Sequence, residues 1–138
     1  MRQQLDAVHV TTRHGLNDVT DAVRERLRAS GLREGLCTVF IRHTSASLVI
    51  QENADPAARR DLEAFLDRLV PDGDPLYTHT AEGDDDMPSH VKAALTRTSE
   101  QIPFRGGELQ LGAWQGIYVW EHRAGRHRRE LAMHLIGE

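Results

Sequence analysis

The sequence predicts an α+β domain, a mostly antiparallel sheet with interspersed helices, folded as one compact domain over residues 1–138. Three observations predict it. Two β-rich apolar runs, "LCTVFIRH" and "SLVIQE", follow one another with only "TSA" between them. A stretch with helical spacing lies on each side of that pair. The last third of the chain reads as successive strands separated by glycine-containing turns.

Taken in order, "QQLDAVHV" reads as a first strand, although its alternation is poor. In "GLNDVTDAVRERLRASG", Val19, Ala22, Val23 and Leu27 fall on one helical face. Asn17 or Asp18 is placed to cap this helix and Gly31 to close it. "LCTVFIRH" and "SLVIQE" then form two buried strands. Asp55-Pro56 opens a second helix, with aspartate suited to the N-cap and proline to the first turn. Ala58, Leu62, Phe65, Leu66 and Leu69 keep helical spacing until Pro71 stops the run. From Pro71 to Pro88 the chain is acidic and poor in core residues. Connections of that length in a compact domain often carry function. A short helix over Pro88 to Arg97 follows. "SEQIPF" and "ELQLG" are joined by "RGG", and "WQGIYVWEHR" and "RRELAMHLIG" by a turn at "AGRH". Trp114, Tyr118, Trp120 and His122 share one face of the penultimate strand. Gln115, Ile117, Val119, Glu121 and Arg123 share the other. Each face mixes apolar and polar groups, so both should be covered, one of them by a subunit interface if not by the chain itself.

The formal charge of −4 argues against non-specific nucleic-acid binding. No apolar run is long enough to cross a membrane, and Met1 to Val10 lacks the apolar core of a signal peptide, so a cytoplasmic location is expected. The lone Cys37 sits in an apolar run and is expected to be a buried thiol.

Four stretches carry candidate chemistry. In "HTSASLVIQENADP", His43 and the hydroxyls of Thr44, Ser45 and Ser47 lie where a buried strand ends, with Glu52 and Asn53 after the next. The hydroxyls either satisfy a turn between strands or line a polar pocket. Were the two strands paired as a hairpin, His43 and Glu52 would flank it. "YTHTAEGDDDMPSH" brings His79, His90 and acids such as Asp86 into one stretch. This is either a solvated loop whose Asp86 caps a helix or the mixed N/O ligand set of zinc or another divalent ion. Gln115, beside two glycines in "LGAWQG", is an amide that needs partners if covered. The arginines of "EHRAGRHRRE" either stay solvated or hold a phosphate, for which the guanidinium fork is well matched. There is no Walker or dinucleotide glycine pattern, no G-x-S-x-G elbow and no H-E-x-x-H.

Together "HTSASLVIQENADP", "DLEAFLDRLVP", "YTHTAEGDDDMPSHVKAAL", "IPFRGGELQLGAWQGIYVWEHR" and the terminal "IGE" resemble the YjbQ-like family, often labelled secondary thiamine-phosphate synthase. The resemblance runs in order from Gly35 to Glu138. It implies a homotrimer and a pocket around the histidine-hydroxyl stretch and the acidic loop. It also implies joining of a hydroxymethylpyrimidine diphosphate to a thiazole phosphate with release of pyrophosphate. The family's motif positions fall on His43, Thr44, Ser45, Ser47, Glu52, Asn53, His79, Asp86, His90, Gln115, Glu121 and Arg123. By that resemblance His43, Glu52, His79 and His90 are the catalytic candidates, and His43, His79, Asp86 and His90 would hold a zinc or magnesium ion. Thr44, Ser45, Ser47, Asn53, Gln115, Glu121 and Arg123 would bind the small phosphorylated substrate. The chain departs from the family in a large Trp120 and in the polar start of "SEQIPF". The alternative expectation is a non-catalytic trimeric module whose pocket holds a small ligand or an ion.

Overall fold

The computed structural model describes residues 1–138. Its frame is a pair of long antiparallel strands, β1 (Arg2–Asp18) and β6 (Gln115–Gly137). Between them in sequence come α1 (Thr20–Ser30), β2 (Glu34–Ile41), β3 (Ala46–Glu52), α2 (Pro56–Leu69), α3 (Asp86–Leu95), β4 (Ser99–Arg105) and β5 (Glu108–Leu109). The sheet runs β1-β6-β2-β4-β5, with β3 also on β6, and every ladder is antiparallel.

The structure corrects one sequence expectation and decides a strand pairing that the sequence left open. "WQGIYVWEHR" and "RRELAMHLIG" are one strand, not a hairpin. β1 pairs with both halves, from Arg2↔Gly137 to Arg13↔Arg126 and again from Gly15↔Glu121 to Asp18↔Tyr118. The four residues from His122 to Gly125 form a bulge in which Gly125 takes φ 79°, open to glycine without strain, and Arg126 and His127 of "AGRH" are already back in the ladder. Nor are β2 and β3 a hairpin. They lie end to end along β6, β2 against Leu131–Gly137 and β3 against Gln115–Glu121. The strand break at 42–45 therefore sits beside the β6 bulge, and β1 shifts register at the same level, at His14.

One sheet face carries the core. Val8, Cys37, Val39, Ile41, Met133 and Leu135 meet α1 through Val23 and Leu27, all 5% exposed or less. Burying each of the larger apolar side chains stabilises the fold by about 1.5–3 kcal/mol. Cys37 is fully buried, and burial pushes its thiol up to about 12, so it stays protonated and unreactive. α1 starts at Thr20, two residues later than a side-chain cap from Asn17 would place it. Asn17 instead closes the β1 irregularity, donating to the carbonyls of Arg13 and Gly15. Asp18 accepts from the Thr20 N–H, and Gly31 ends the helix in the left-handed region, as its position suggested.

α2 and α3 cover the opposite face of the first half of β6. Ile117 to Val119, Glu121 and His122 are buried from both sides within this one chain. The α2 cap is as expected, with Asp55 accepting from the Ala57 N–H and Pro56 in the first turn. Its apolar stripe is not: Leu66 is buried, while Phe65 and Leu69 are 58% and 57% exposed. α3 begins at Asp86, two residues before the expected Pro88. β4 starts at Ser99 despite its polarity, because Ser99 and Gln101 point outward and Ile102 and Phe104 inward.

Candidate functional site

The site lies where the sheet is interrupted. Ser45 accepts from the His122 N–H through its carbonyl, and His43 Nε2 accepts from the Glu130 N–H at 2.8 Å. These bonds lash residues 43–45 to β6 on either side of its bulge, at His122 and Glu130. The N-terminal turn of α3 arrives on top. There the i,i+4 pair Asp86 and His90 projects from one helix face toward His79 in the preceding loop.

The ligating atoms of His79, Asp86 and His90 all lie within 4.8 Å of one another. Asp86 Oδ2 is 2.7 Å from His79 Nε2 and 3.3 Å from His90 Nε2. The carboxylate is buried at 3% side-chain exposure, whereas His79 and His90 are 49% and 30% exposed, so the cluster opens outward. A groove lined by Gly73, Asp74, Tyr77, His79, Thr80 and Met87 runs beside it.

Two of the three members, His90 and Asp86, are oriented from behind. His90 Nδ1 lies 2.9 Å from the Thr44 carbonyl, which only accepts, so Nδ1 carries the proton. In the neutral ring the Nε2 lone pair then faces the Asp86 oxygen. Two electron-rich atoms set face to face call for a cation between them, a proton or a metal ion. Arg123 Nη1 takes the other oxygen, Oδ1, at 3.0 Å and leaves Oδ2 for the histidines. Burial alone would raise the Asp86 carboxyl, but the His79 hydrogen bond and the charges of His90 and Arg123 hold it below the ordinary range. Two imidazoles, one ionised carboxylate and an outer ring of orienting partners form a donor set that fits a divalent ion and leaves coordination positions open.

The remaining expected residues divide. His43 belongs to the same break, but its Nε2 is occupied and it stands outside the ligand cluster. Burial and Arg129 push its pKa down, leaving a neutral ring with Nδ1–H free to donate. Ser45 and Ser47 are held by Arg129 and His122, at 3.0 and 2.9 Å, and the exposed Thr44 leaves its side chain free. Arg123 spreads its guanidinium over Asp85, Asp86 and the Glu82 carbonyl, so it pins the acidic loop and has little left for a phosphate. Glu121 is wholly buried, with its carboxylate bound to Arg129 and Thr12. Glu52, Asn53 and Gln115 lie at the far end of β3, five residues from Ser47, or roughly 16 Å at a strand's rise. There Asn53 donates to the Ala113 and Gln115 carbonyls, and Gln115 accepts from the Gly112 N–H, closing the 112–115 turn. The structure does not bring this trio to the histidines.

Several residues of the site gave little signal in the sequence. Asp85 is hidden in an aspartate run, and Arg129 in an arginine cluster that reads as surface. Lys92 is 4% exposed and 2.6 Å from Asp67, which also receives His14 at 3.2 Å. The trio ties α3 to α2 and β1. The one available clue was the i,i+4 spacing of Asp86 and His90, masked when the helix is started at Pro88.

Removing the charge of Arg129 should be severe, because Glu121 would remain buried and ionised without its partner. We expect Arg129→Met to cost about 3–5 kcal/mol and lower Tm by roughly 10 °C or more. A calorimetric Tm within 3 °C of the parent would show that the pair contributes little.

These features define a class, an α+β sheet domain with a two-histidine, one-carboxylate cluster at a break in its sheet. The chain belongs to the YjbQ-like family: the family described as "UPF0047 protein YjbQ-like" matches residues 6–138. It is 48% identical to the UPF0047 protein sll1880 of Synechocystis sp. over 99% of this chain and 94% of the other. It is 42% identical to the UPF0047 protein YjbQ of Escherichia coli O157:H7 over 94% and 88%. Among solved structures, the hypothetical protein APE1520 from Aeropyrum pernix K1 superposes with a TM-score of 0.84 at 30% identity, over the whole of both chains. An uncharacterized conserved protein of the yjbq/upf0047 family from Clostridium acetobutylicum gives 0.81 at 36% identity, over 94% of this chain and 99% of that one. No helix is long and apolar enough to cross a membrane.

Proposed function

We propose that this chain is a metal-dependent enzyme acting on a small phosphorylated molecule. The specific case is a thiamine-phosphate synthase type of transfer, in which a hydroxymethylpyrimidine diphosphate joins a thiazole phosphate and pyrophosphate leaves. The observation that carries the reading is the His79–Asp86–His90 cluster, with its buried carboxylate and the proton of His90 fixed on the nitrogen that faces away. Imidazole donors favour zinc or a similar transition ion over magnesium, which prefers oxygen. Such an ion supplies charge stabilisation to a leaving diphosphate. That role matters more here because Arg123 is committed to the acidic loop. His43 offers a neutral Nδ1–H donor beside the cluster, and Thr44 an exposed hydroxyl.

The test is metal analysis of the purified protein followed by assay of the two thiamine precursors, with and without chelator. Stoichiometric metal and chelator-sensitive pyrophosphate release support the reading. Metal binding without turnover of any phosphorylated candidate would leave the trimeric binding module instead.

We also propose a homotrimer. On the half of the sheet that α2 and α3 leave open, Leu5 and Phe40 are 70% and 44% exposed, with Ala7 and Ala132 between them. α2 offers a second, different apolar surface in Phe65 and Leu69. Two unlike patches suit the head-to-tail contact of a closed ring. Phe40→Asp should convert a species of three-fold mass to monomers in sedimentation equilibrium. A parent that sediments as a monomer would end this part of the proposal.

A further inference from the structure

Behind the cluster lies a group of buried charges that touches no ligand position. Glu121 is 0% exposed, Thr12 0% and Arg129 8%. Arg129 Nε and Nη2 reach the two Glu121 oxygens at 2.6 Å each, and Thr12 Oγ1 donates to Oε1 at 2.6 Å. A buried ion pair of this kind seldom adds net stability over an apolar core, so its retention asks for another reason.

Its outward bonds supply one. Arg129 Nη2 also donates to Ser45 Oγ at 3.0 Å, while the Ser45 carbonyl takes the His122 N–H. Two residues earlier, His43 takes the Glu130 N–H. The Thr44 peptide is thus fixed on both sides, and its carbonyl is the acceptor that sets the His90 proton. On the other flank Glu121 Oε2 accepts from the Arg123 N–H at 3.1 Å, and the Arg123 guanidinium occupies Asp86 Oδ1. Two of the three cluster residues are therefore oriented through arms that begin at one carboxylate.

We propose that the Glu121–Arg129 pair is the positioning element of the cluster, acting through Ser45 and Thr44 on His90 and through Arg123 on Asp86. Glu121 and Arg129 make this contribution without contacting substrate or ion. The proposal rests on the metal reading for its effect on affinity, but its structural half stands without a metal. Ser45 is the weak link on which it can be tested, because Ser45→Ala cuts the His90 arm and leaves the buried pair intact.

The experiment uses the full chain stripped of metal. Zinc affinity is measured by chelator competition for the parent, Ser45→Ala, Ser45→Thr and Arg129→Lys, with Tm beside each. In the metal-free samples, imidazole 15N shifts report the His90 tautomer. Loss of an orienting partner lowers metal affinity by about 10–100-fold. That is the loss expected for Ser45→Ala, with little change in Tm and a mixed His90 tautomer. Ser45→Thr, which keeps a hydroxyl, should recover the parent values, and Arg129→Lys should fall with Ser45→Ala. Parent-like affinity and tautomer in Ser45→Ala would overturn the positioning role while the metal reading stood. So would a loss of Tm alone. A parent that binds no zinc overturns the metal reading, and an unchanged His90 tautomer across the series would then overturn the positioning role as well.

Discussion

Replacing His79 and His90 together by alanine should abolish divalent-ion binding and, on the proposed reading, turnover, while leaving the fold intact. Two of three donors disappear, so the loss should exceed the roughly 10–100-fold that follows removal of a merely orienting partner. The fold should survive because neither ring is in the core. His79 is half exposed on the 70–85 connection, and His90 projects from the open face of α3. What remains is Asp86, still bound by Arg123 and no longer opposed by histidines. Mass spectrometry of the native protein and a far-UV spectrum check the two halves of the expectation. Undiminished metal content in the double variant would remove the cluster as the site. Undiminished turnover would remove it from the chemistry.

The fold and the site were legible to different depths for physical reasons. Local signals were reliable: Gly31 at the end of α1, Asp55-Pro56 at the start of α2, and the alternation of Ile102 and Phe104 that makes β4 a strand. Local signals failed where tertiary pairing decides. The bulge at 122–125 resembles a hairpin turn in sequence, and only the continuous β1 ladder shows that β6 keeps its direction. The same holds for β2 and β3. They are close in sequence and look like partners, yet each pairs with β6. Placing them end to end separates His43 from Glu52 and sets His43 to Ser45 against the bulge. The expected pocket between the histidine-hydroxyl stretch and the acidic loop does have a physical join, the Thr44 carbonyl on His90. Its expected extension to Glu52, Asn53 and Gln115 rested on the family resemblance, and the hydrogen bonds of Asn53 and Gln115 close a turn at the other end of β3. The residues behind the site were harder still. A buried arginine such as Arg129 looks like its solvated neighbours until its partner, eight positions away, is folded against it.

His122 should make the protein sensitive to mild acid. It is 2% exposed, with Nε2 2.9 Å from Ser47 Oγ and Nδ1 without any partner. Burial and then the Lys92 charge pull its pKa from 6.5 down to about 3. The unfolded chain takes up a proton below about pH 6.5 that the folded chain refuses until about pH 3, so stability is full above 6.5 and falls with pH across that window. One such group costs about 1.4 kcal/mol per pH unit within the window. His43, also shifted down, adds in the same direction. Asp67, Asp85, Asp86 and Glu121 are held below the ordinary carboxylate range, and what they contribute is lost only further down, below about pH 4. The interval from pH 6.5 to 4.5 therefore belongs to the histidines. Urea unfolding of metal-stripped protein across it should show a loss of roughly 2 kcal/mol or more. In His122→Phe the slope should be shallower by close to one proton, whatever the variant's stability at neutral pH. Equal slopes in the two proteins would mean that Nδ1 finds a partner when it is charged, and that this buried ring is better solvated than its surroundings suggest.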